Sequence, residues 1–362
     1  MSAAGQSFSQ SFAEAREKFL AAADRAGGHP ESFVNPNKGP AGETLATDVA
    51  WFGDPAAGKA LVCVSGTHGV EGFCGSGWQI DWLRGEGRHR LPPGVGMLLV
   101  HAINPYGFCW IRRVTEENVD LNRNFVDHAR PHPDNPGYRE LADYLIPRSL
   151  DQEAIRAAEA RLEAYRRQHG DIAYYRAISA GQYSHADGLF YGGNGPTWSN
   201  RTTHAVIDRF LKHRQAVAVV DFHTGLGPYG YGELIGHYDP GTPGSERQRR
   251  WYGPSLMETK RGMSASQARD GLTHYGYNRA LAGSDTTVVT LEFGTYPREP
   301  GHSALRADHW LHKYGDPLSA EGKRIKAMLR DHFYPDRDDW KEMILFRGYQ
   351  VTRQALAGLA SS

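Results

Sequence analysis

His68 and Glu71 stand three residues apart in Gly66-Thr67-His68-Gly69-Val70-Glu71-Gly72. An imidazole and a carboxylate so spaced on a turn reach one small cation, while the glycines let the backbone bend around it. They follow the apolar run Ala60 to Val64 and a Ser65-Gly66 break, the pattern of a buried strand ending in a loop. A cation held there would make the protein a hydrolase. With 17 histidines in the chain, one His-x-x-Glu pair is weak evidence by itself, so further ligands and catalytic groups are needed.

Such groups recur where other strand-like runs end. Met97 to Ile103 leads into Asn104-Pro105-Tyr106-Gly107-Phe108, then Arg112-Arg113 and Asp120-Leu121-Asn122-Arg123-Asn124-Phe125. Ala216 to Val220 leads into Asp221-Phe222-His223-Thr224-Gly225, and Glu292 sits between Leu291 and Phe293 before Gly294. Open α/β sheets gather ligands beyond the carboxyl ends of their strands, which gives these positions a shared reason to converge. Each also has a plainer reading. His223 suits a core histidine satisfied by carbonyls, and Glu292 a buried carboxylate paired with an arginine. Arg112-Arg113 suits a solvated basic step, and Asn122-Arg123-Asn124 a braced turn. His185, His237 and His274 fall in loop-like stretches without a matching carboxylate and read as surface or supporting residues.

The elements that must position these groups alternate along the chain. Ser9 to Arg25 carries a helical stripe (Phe12, Ala15, Phe19, Leu20, Ala23) capped by Ser9 or Ser11. Thr44 to Phe52, Ala60 to Val64, Met97 to Ile103, Ala216 to Phe222 and Val288 to Phe293 read as strands; Gly75 to Arg84 and Ser319 to Phe333 read as helices. An Ala-, Arg- and Glu-rich region from Arg139 to Gln168 suggests a helical lobe inserted at about 128–215, within one domain spanning 1–362. The alternation predicts an α/β protein with a mixed, mostly parallel sheet between helices.

The ordered set His68-x-x-Glu71, Asn104-Pro105-Tyr106-Gly107-Phe108, Arg113, Asp120-Leu121-Asn122-Arg123-Asn124-Phe125, His223 and Glu292 resembles the zinc carboxypeptidase superfamily over roughly residues 44 to 298. It looks closest to a bacterial branch, with the aspartoacylase and succinylglutamate desuccinylase group as cousins. The resemblance implies an eight-stranded sheet and one zinc ion held by His68, Glu71 and His223, with a coordination position left for water. It implies Glu292 as general base and Arg113 over the scissile carbonyl, although spacing alone leaves Arg112 as an alternative. Asn122 and Arg123 would hold a substrate carboxylate, Asp120 would fix the tautomer of His68, and Asp221 would do similar work for His223. The family's closing tyrosine has only candidates here, Tyr275 and Tyr277.

Composition narrows the partners. Lys plus Arg equals Asp plus Glu at 41 each, so no net field draws the chain to nucleic acid or an anionic membrane. No apolar run approaches the roughly 20 residues that cross a bilayer. Met1 to Gln10 does not read as a secretion signal, and three cysteines (Cys63, Cys74, Cys109) suit reduced thiols in a cytoplasm. The expectation is a cytoplasmic zinc hydrolase cleaving an amide next to a free carboxylate, a carboxypeptidase on small peptides. The alternatives are an N-acyl amino acid deacylase, or a non-catalytic metal- or peptide-binding protein on the same scaffold.

Overall fold

Eight strands form one mixed sheet: β1 (Glu31–Lys38), β2 (Thr44–Phe52), β3 (Lys59–Ser65), β4 (Val95–His101), β5 (Ala216–Tyr229), β6 (Gly232–Gly236), β7 (Leu256–Glu258) and β8 (Asp285–Gly294). The computed structural model describes residues 4–85, 91–264 and 266–361. The order is β1-β2-β4-β3-β5-β8-β6-β7. The central strands β4, β3, β5 and β8 run parallel, as do β6 and β7, while β1/β2, β2/β4 and β6/β8 are antiparallel. This is the α/β architecture expected from the alternation.

Helices α1 (Phe12–Arg25), α2 (Gly72–Arg84), α3 (Pro105–Cys109), α4 (Pro136–Leu145), α5 (Gln152–His169), α6 (Asp171–Ser179), α7 (Trp198–Phe210), α8 (Pro243–Tyr252), α9 (Thr273–Ala280), α10 (Arg298–Tyr314), α11 (Ala320–Phe333) and α12 (Asp338–Ala360) surround it. Period-two alternation decides which side chains meet which layer. Leu61, Cys63, Ala218, Val220, Phe222, Leu291 and Phe293 face a core shared with α1, α2, α8 and α12. Ala60, Val62, Val64, Val217, Val219 and Val288 face the opposite core, with Val206 and Ile207 of α7 and Tyr277 of α9.

Three differences from the sequence reading have physical causes. Met97 to Ile103 does not run as one strand: β4 ends at His101 because Ala102 takes φ +56, after which Ile103 N–H donates to Ser65 O at 3.0 Å. The Arg139 to Gln168 region is two helices, broken where Ile146, held extended before Pro147, caps α4. Within the segment expected as an insertion, α4 to α6 form a lobe whose apolar side (Tyr138, Leu141, Leu162, Ile178) packs with Leu305 of α10 and Phe333 of α11. Helix α7 lies in the same 128–215 stretch but covers the sheet instead.

The loop after β3 is tightly held. Gly66 adopts φ +75, and Gly69 N–H and Val70 N–H donate to Arg113 O (3.2 Å) and Arg112 O (2.8 Å). Gly69 passes so close to α3 that a Cβ there would lie 2.0 Å from Gly107 C and 2.2 Å from Phe108 N, both backbone. Gly69→Ala should therefore lower unfolding free energy by about 2–3 kcal/mol, the range of overpacked cores. Gly195→Ala, where an added Cβ meets nothing within 4 Å, should be near neutral. Urea unfolding midpoints of the two variants check the contrast.

Candidate metal centre and cleft

The same alternation that packs Val217 and Val219 into the second core places Asp221 and His223 on that face of β5. On the neighbouring strand, Glu292 is the in-register partner of His223, and Thr290 of Asp221. Both strands bring these groups to the carboxyl end of the sheet, where the loop after β3 delivers His68 and Glu71.

Three buried side chains converge there. His68 Nδ1 lies 2.9 Å from Glu71 Oε1 and 3.1 Å from His223 Nδ1, which is itself 3.1 Å from Glu71 Oε2. Donor atoms of His68, Glu71 and His223 thus meet in one small volume. Tetrahedral zinc with bonds of about 2.0–2.1 Å sets its ligand atoms about 3.3 Å apart. The observed spacings need to open by only a few tenths of an ångström, so the set fits a small divalent cation. Proton accounting agrees. The two Nδ1 atoms face each other, and their lone pairs repel unless a proton or a cation lies between them. His68 Nε2 is 3.2 Å from Asp120 Oδ1 and 2.7 Å from Arg113 Nη2. A cation on Nδ1 selects the tautomer with the proton on Nε2, donated to Asp120.

The surrounding charges are arranged in pairs. Asp120 accepts from Arg113 Nε (3.0 Å) and from Asn122 N–H (3.0 Å). Burial opposes its ionisation, but Arg113, Arg123 and His68 outweigh burial and hold the carboxyl well below its usual range. Glu71 is likewise buried, and the charges and hydrogen bonds of His68 and His223 hold it low. Asp221 Oδ2 lies 3.1 Å from His223 Nε2, an ion-pair distance without hydrogen-bond geometry, and Asp221 accepts from Thr67 Oγ1 (2.8 Å) and Thr273 Oγ1 (3.1 Å). Against the cost of burial, Asp221 and then Glu71 raise the His223 pKa well above the usual value. Glu292 is different. Its Oε1 accepts from Leu226 N–H at 3.0 Å, and burial together with the charge of Glu71 pushes its pKa up to about 7. The arginine partner that a structural role for Glu292 would require is not among its contacts in the described residues.

The two arginines point in different directions. Arg112 turns away, with Nε 3.1 Å from Asp308 Oδ2 and Nη2 2.9 Å from Asn118 Oδ1. Arg113 faces the centre, donating from Nε to Asp120 and from Nη1 to Glu71 Oε1 (3.1 Å), with Nη2 beside the His68 ring.

These groups open into a cleft. Asn122 lines it, but Arg123 does not: it is 1 % exposed, and its Nη1 and Nη2 donate to Asn122 O (2.6 Å) and Ser179 O (2.9 Å). Tyr277 is corrected as a substrate-binding candidate, because it is buried in the apolar core beside Leu121, Phe125 and Leu281. Tyr275 does not line the cleft either. His237 and His274 are buried rather than on the surface, and His237 lines the cleft with Nε2 3.3 Å from Thr290 Oγ1. His185 is half-buried and bonds Ser184 Oγ. Sequence reasoning missed Tyr175, Ser179 and Phe190 from the lobe, Arg269, and Arg298 and His302 of α10, all of which line the cleft. Phe190, at φ +54, stacks its ring 5.3 Å from the Arg113 guanidinium carbon and 5.9 Å from that of Arg123.

Among solved structures, the chain is similar to carboxypeptidase A from Helicoverpa armigera at 12 % identity, TM-score 0.48, covering 96 % of this chain and 74 % of that one. It is similar to a metallo-carboxypeptidase from Pseudomonas aeruginosa at 14 % identity, TM-score 0.41, covering 92 % and 69 %. A succinylglutamate desuccinylase from Silicibacter sp. gives 13 % identity, TM-score 0.38, covering 88 % and 66 %. No curated protein matches. A family model described as "Protein of unknown function (DUF2817)" matches residues 8–347, and the chain belongs to that family.

Proposed function

We propose that the chain is a zinc-dependent hydrolase that cleaves an amide bond next to a free carboxylate in a small peptide. The observation that carries this reading is the convergence of His68, Glu71 and His223 within 2.9–3.1 Å, with Glu292 in register beside His223. When bound, the ion supplies Lewis acidity that makes water acidic enough for a carboxylate to deprotonate.

The protein groups supply the rest. Leu226 N–H fixes Glu292 Oε1, orienting the carboxylate toward the cleft, where it takes a proton from the attacking water. The water oxygen bonds to the carbonyl carbon, the C–N bond breaks, and the proton held by Glu292 passes to the leaving nitrogen. Arg113, fixed by Asp120, offers N–H groups to the oxygen on which negative charge develops. Asp221 and Asp120 hold the two imidazoles in orientation. Lobe residues Tyr175, Ser179 and Phe190 wall the cleft, which favours small substrates over the ends of folded proteins. The same walls suit the second reading, an N-acyl amino acid deacylase using the same base.

Elemental analysis joined to a panel of dipeptides and N-acyl amino acids, with and without chelator, tests both readings. One zinc per chain and chelator-sensitive release of an amino acid from dipeptides are expected; release only from N-acyl amino acids selects the deacylase. A protein without a stoichiometric ion would falsify the metal assignment. His223→Ala should lose most of its bound zinc, and full metallation would remove His223 as a ligand. Glu292→Gln should keep the ion while kcat falls by about 10²–10⁴-fold. Because Glu292 accepts a proton only when ionised, kcat/KM should rise with pH along an acid limb. Burial and Glu71 displace that limb upward from the ordinary 4.5 toward about 7, and a bound cation draws it part of the way back. A limb centred at or below 4.5 in the metal-replete enzyme argues against Glu292 as the base.

A further inference from the structure

Arginines 113, 269 and 298 line the cleft, and their surroundings differ. Arg113 is committed to Asp120 and Glu71. Arg298 lies with its guanidinium carbon 4.9 Å from the centroid of the Tyr175 ring. Arg269 has a buried Nε with no hydrogen-bond partner, and no carboxylate among the described residues forms an ion pair with it; Arg123 also has an unpartnered buried Nε, but it does not line the cleft. Burial first, then the like charges of Arg123 and Arg113, lowers its pKa to about 9, so it remains cationic at neutral pH. Arg269 is half-buried, and a guanidinium partly withdrawn from water without a counter-ion is stabilised by an anionic ligand entering the cleft.

The backbone holds Arg269 at this position. Two residues on, Gly271 adopts φ +69 and packs so closely that a Cβ there would lie 2.1 Å from Arg123 O. Gly271 O accepts from Phe125 N–H at 3.0 Å, and Thr273 N–H donates to Asn122 Oδ1 at 2.9 Å. The segment carrying Arg269 is thereby tied to the turn that contains Asn122 and Arg123. Ser266 and Gln267 line the cleft beside it.

We propose that Arg269, and not Arg123, seats the carboxylate of the substrate, so that the site selects small anionic amides. Arg123 is then a positioning residue, bracing Asn122 and tying the turn to the lobe through Ser179. The assignment rests on reading the cleft as the place where a small amide binds, and it departs from the expectation that placed the carboxylate on Arg123.

The test is a binding measurement on the full chain as purified, in a Glu292→Gln background so that ligand is not consumed. Titration calorimetry compares N-acetyl-L-alanine with N-acetyl-L-alaninamide, which differ only in the carboxylate. N-acetyl-L-isoglutamine, whose only carboxylate is on the side chain, shows which carboxylate is read. The acid should bind more tightly than the amide. Arg269→Gln should weaken acid binding by about 10-fold or more, the scale of a charge-assisted hydrogen bond, and leave the amide unchanged. Arg269→Lys should recover part of the loss, since it keeps the charge but not the planar fork. Arg123→Gln should lower Tm and weaken acid and amide alike. Two results overturn the proposal: a parent protein that does not distinguish acid from amide, or discrimination that is lost in Arg123→Gln and kept in Arg269→Gln. Because binding and not turnover is read, either result leaves the metal and Glu292 assignments standing, and failure of the hydrolase tests leaves the binding comparison intact.

Discussion

The carboxylate of Glu71 between two imidazoles is the interaction around which this end of the molecule is organised. Glu71 Oε1 and Oε2 reach His68 and His223 respectively, and Thr224 N–H donates to Oε2 at 3.1 Å. A carboxylate this deeply buried is tolerable only when it is paired. The chain supplies its partners from three separate stretches, the loop after β3, the segment after β4 and strand β5. The parallel pairing of β3 with β5 and of β5 with β8 makes the meeting possible, because it brings three strand ends to the same edge. A shift of one residue in the β5/β8 register would turn Glu292 into the opposite core, where Leu291 and Phe293 now pack.

The packing behind the centre serves the same purpose. Gly69 against Gly107 and Phe108, and Val70 bonded to Arg112 O, fix the loop to the segment that carries Arg113. Arg113 must lie close to His68 without displacing it, and Asp120 divides that work by bonding both. Phe190, contributed by the stretch after the lobe helices, screens Arg113 and Arg123 from solvent and strengthens their electrostatic contacts. The lobe is therefore part of the site's electrostatics as well as its wall.

The parts legible in the sequence were those with a short-range signature. Thr44–Phe52 declares itself by the Gly-Asp-Pro-Ala-Ala-Gly turn that follows it, the helix ending at Phe333 by Ser319 at the N-cap, and the central strands by unbroken apolar runs. Strand β1 was hidden because Pro36 and two asparagines occupy an exposed edge; β7, three residues long, is too short to show a period. His68, Glu71, His223 and Glu292 stand at or near the carboxyl ends of β3, β5 and β8, so topology predicts their meeting, whereas Asp120 lies well beyond the end of β4. Nor does Arg269 stand at a strand end. It sits between β7 and α9 in a segment without periodicity, and only the packing of Gly271 on Arg123 brings it to the cleft. Tyr277 failed for the converse reason, since its place on α9 looks suitable until the helix is seen to turn that face toward Leu121 and Val206.

Charge pairing shows what the cleft is prepared to receive. Glu71, Asp120 and Asp221 each contact a histidine, and Asp120 and Glu71 also hold Arg113. Arg123 donates to two carbonyls. Its Nε, like that of Arg269, has no partner among the described residues, but of the two only Arg269 lines the cleft, as does Glu292, whose only hydrogen bond among the described residues comes from Leu226 N–H. Glu292 and Arg269 both line the cleft, yet they form no ion pair with each other. Had they paired, Arg269 would have drawn the Glu292 pKa down and removed its capacity to hold a proton near neutral pH. Kept apart, the two would serve on the proposed reading as a place for a proton in transit and a place for a negative charge. On the proposed function, a substrate with an amide and an anion would engage both, the division of labour that hydrolysis of a small carboxylate-bearing amide requires.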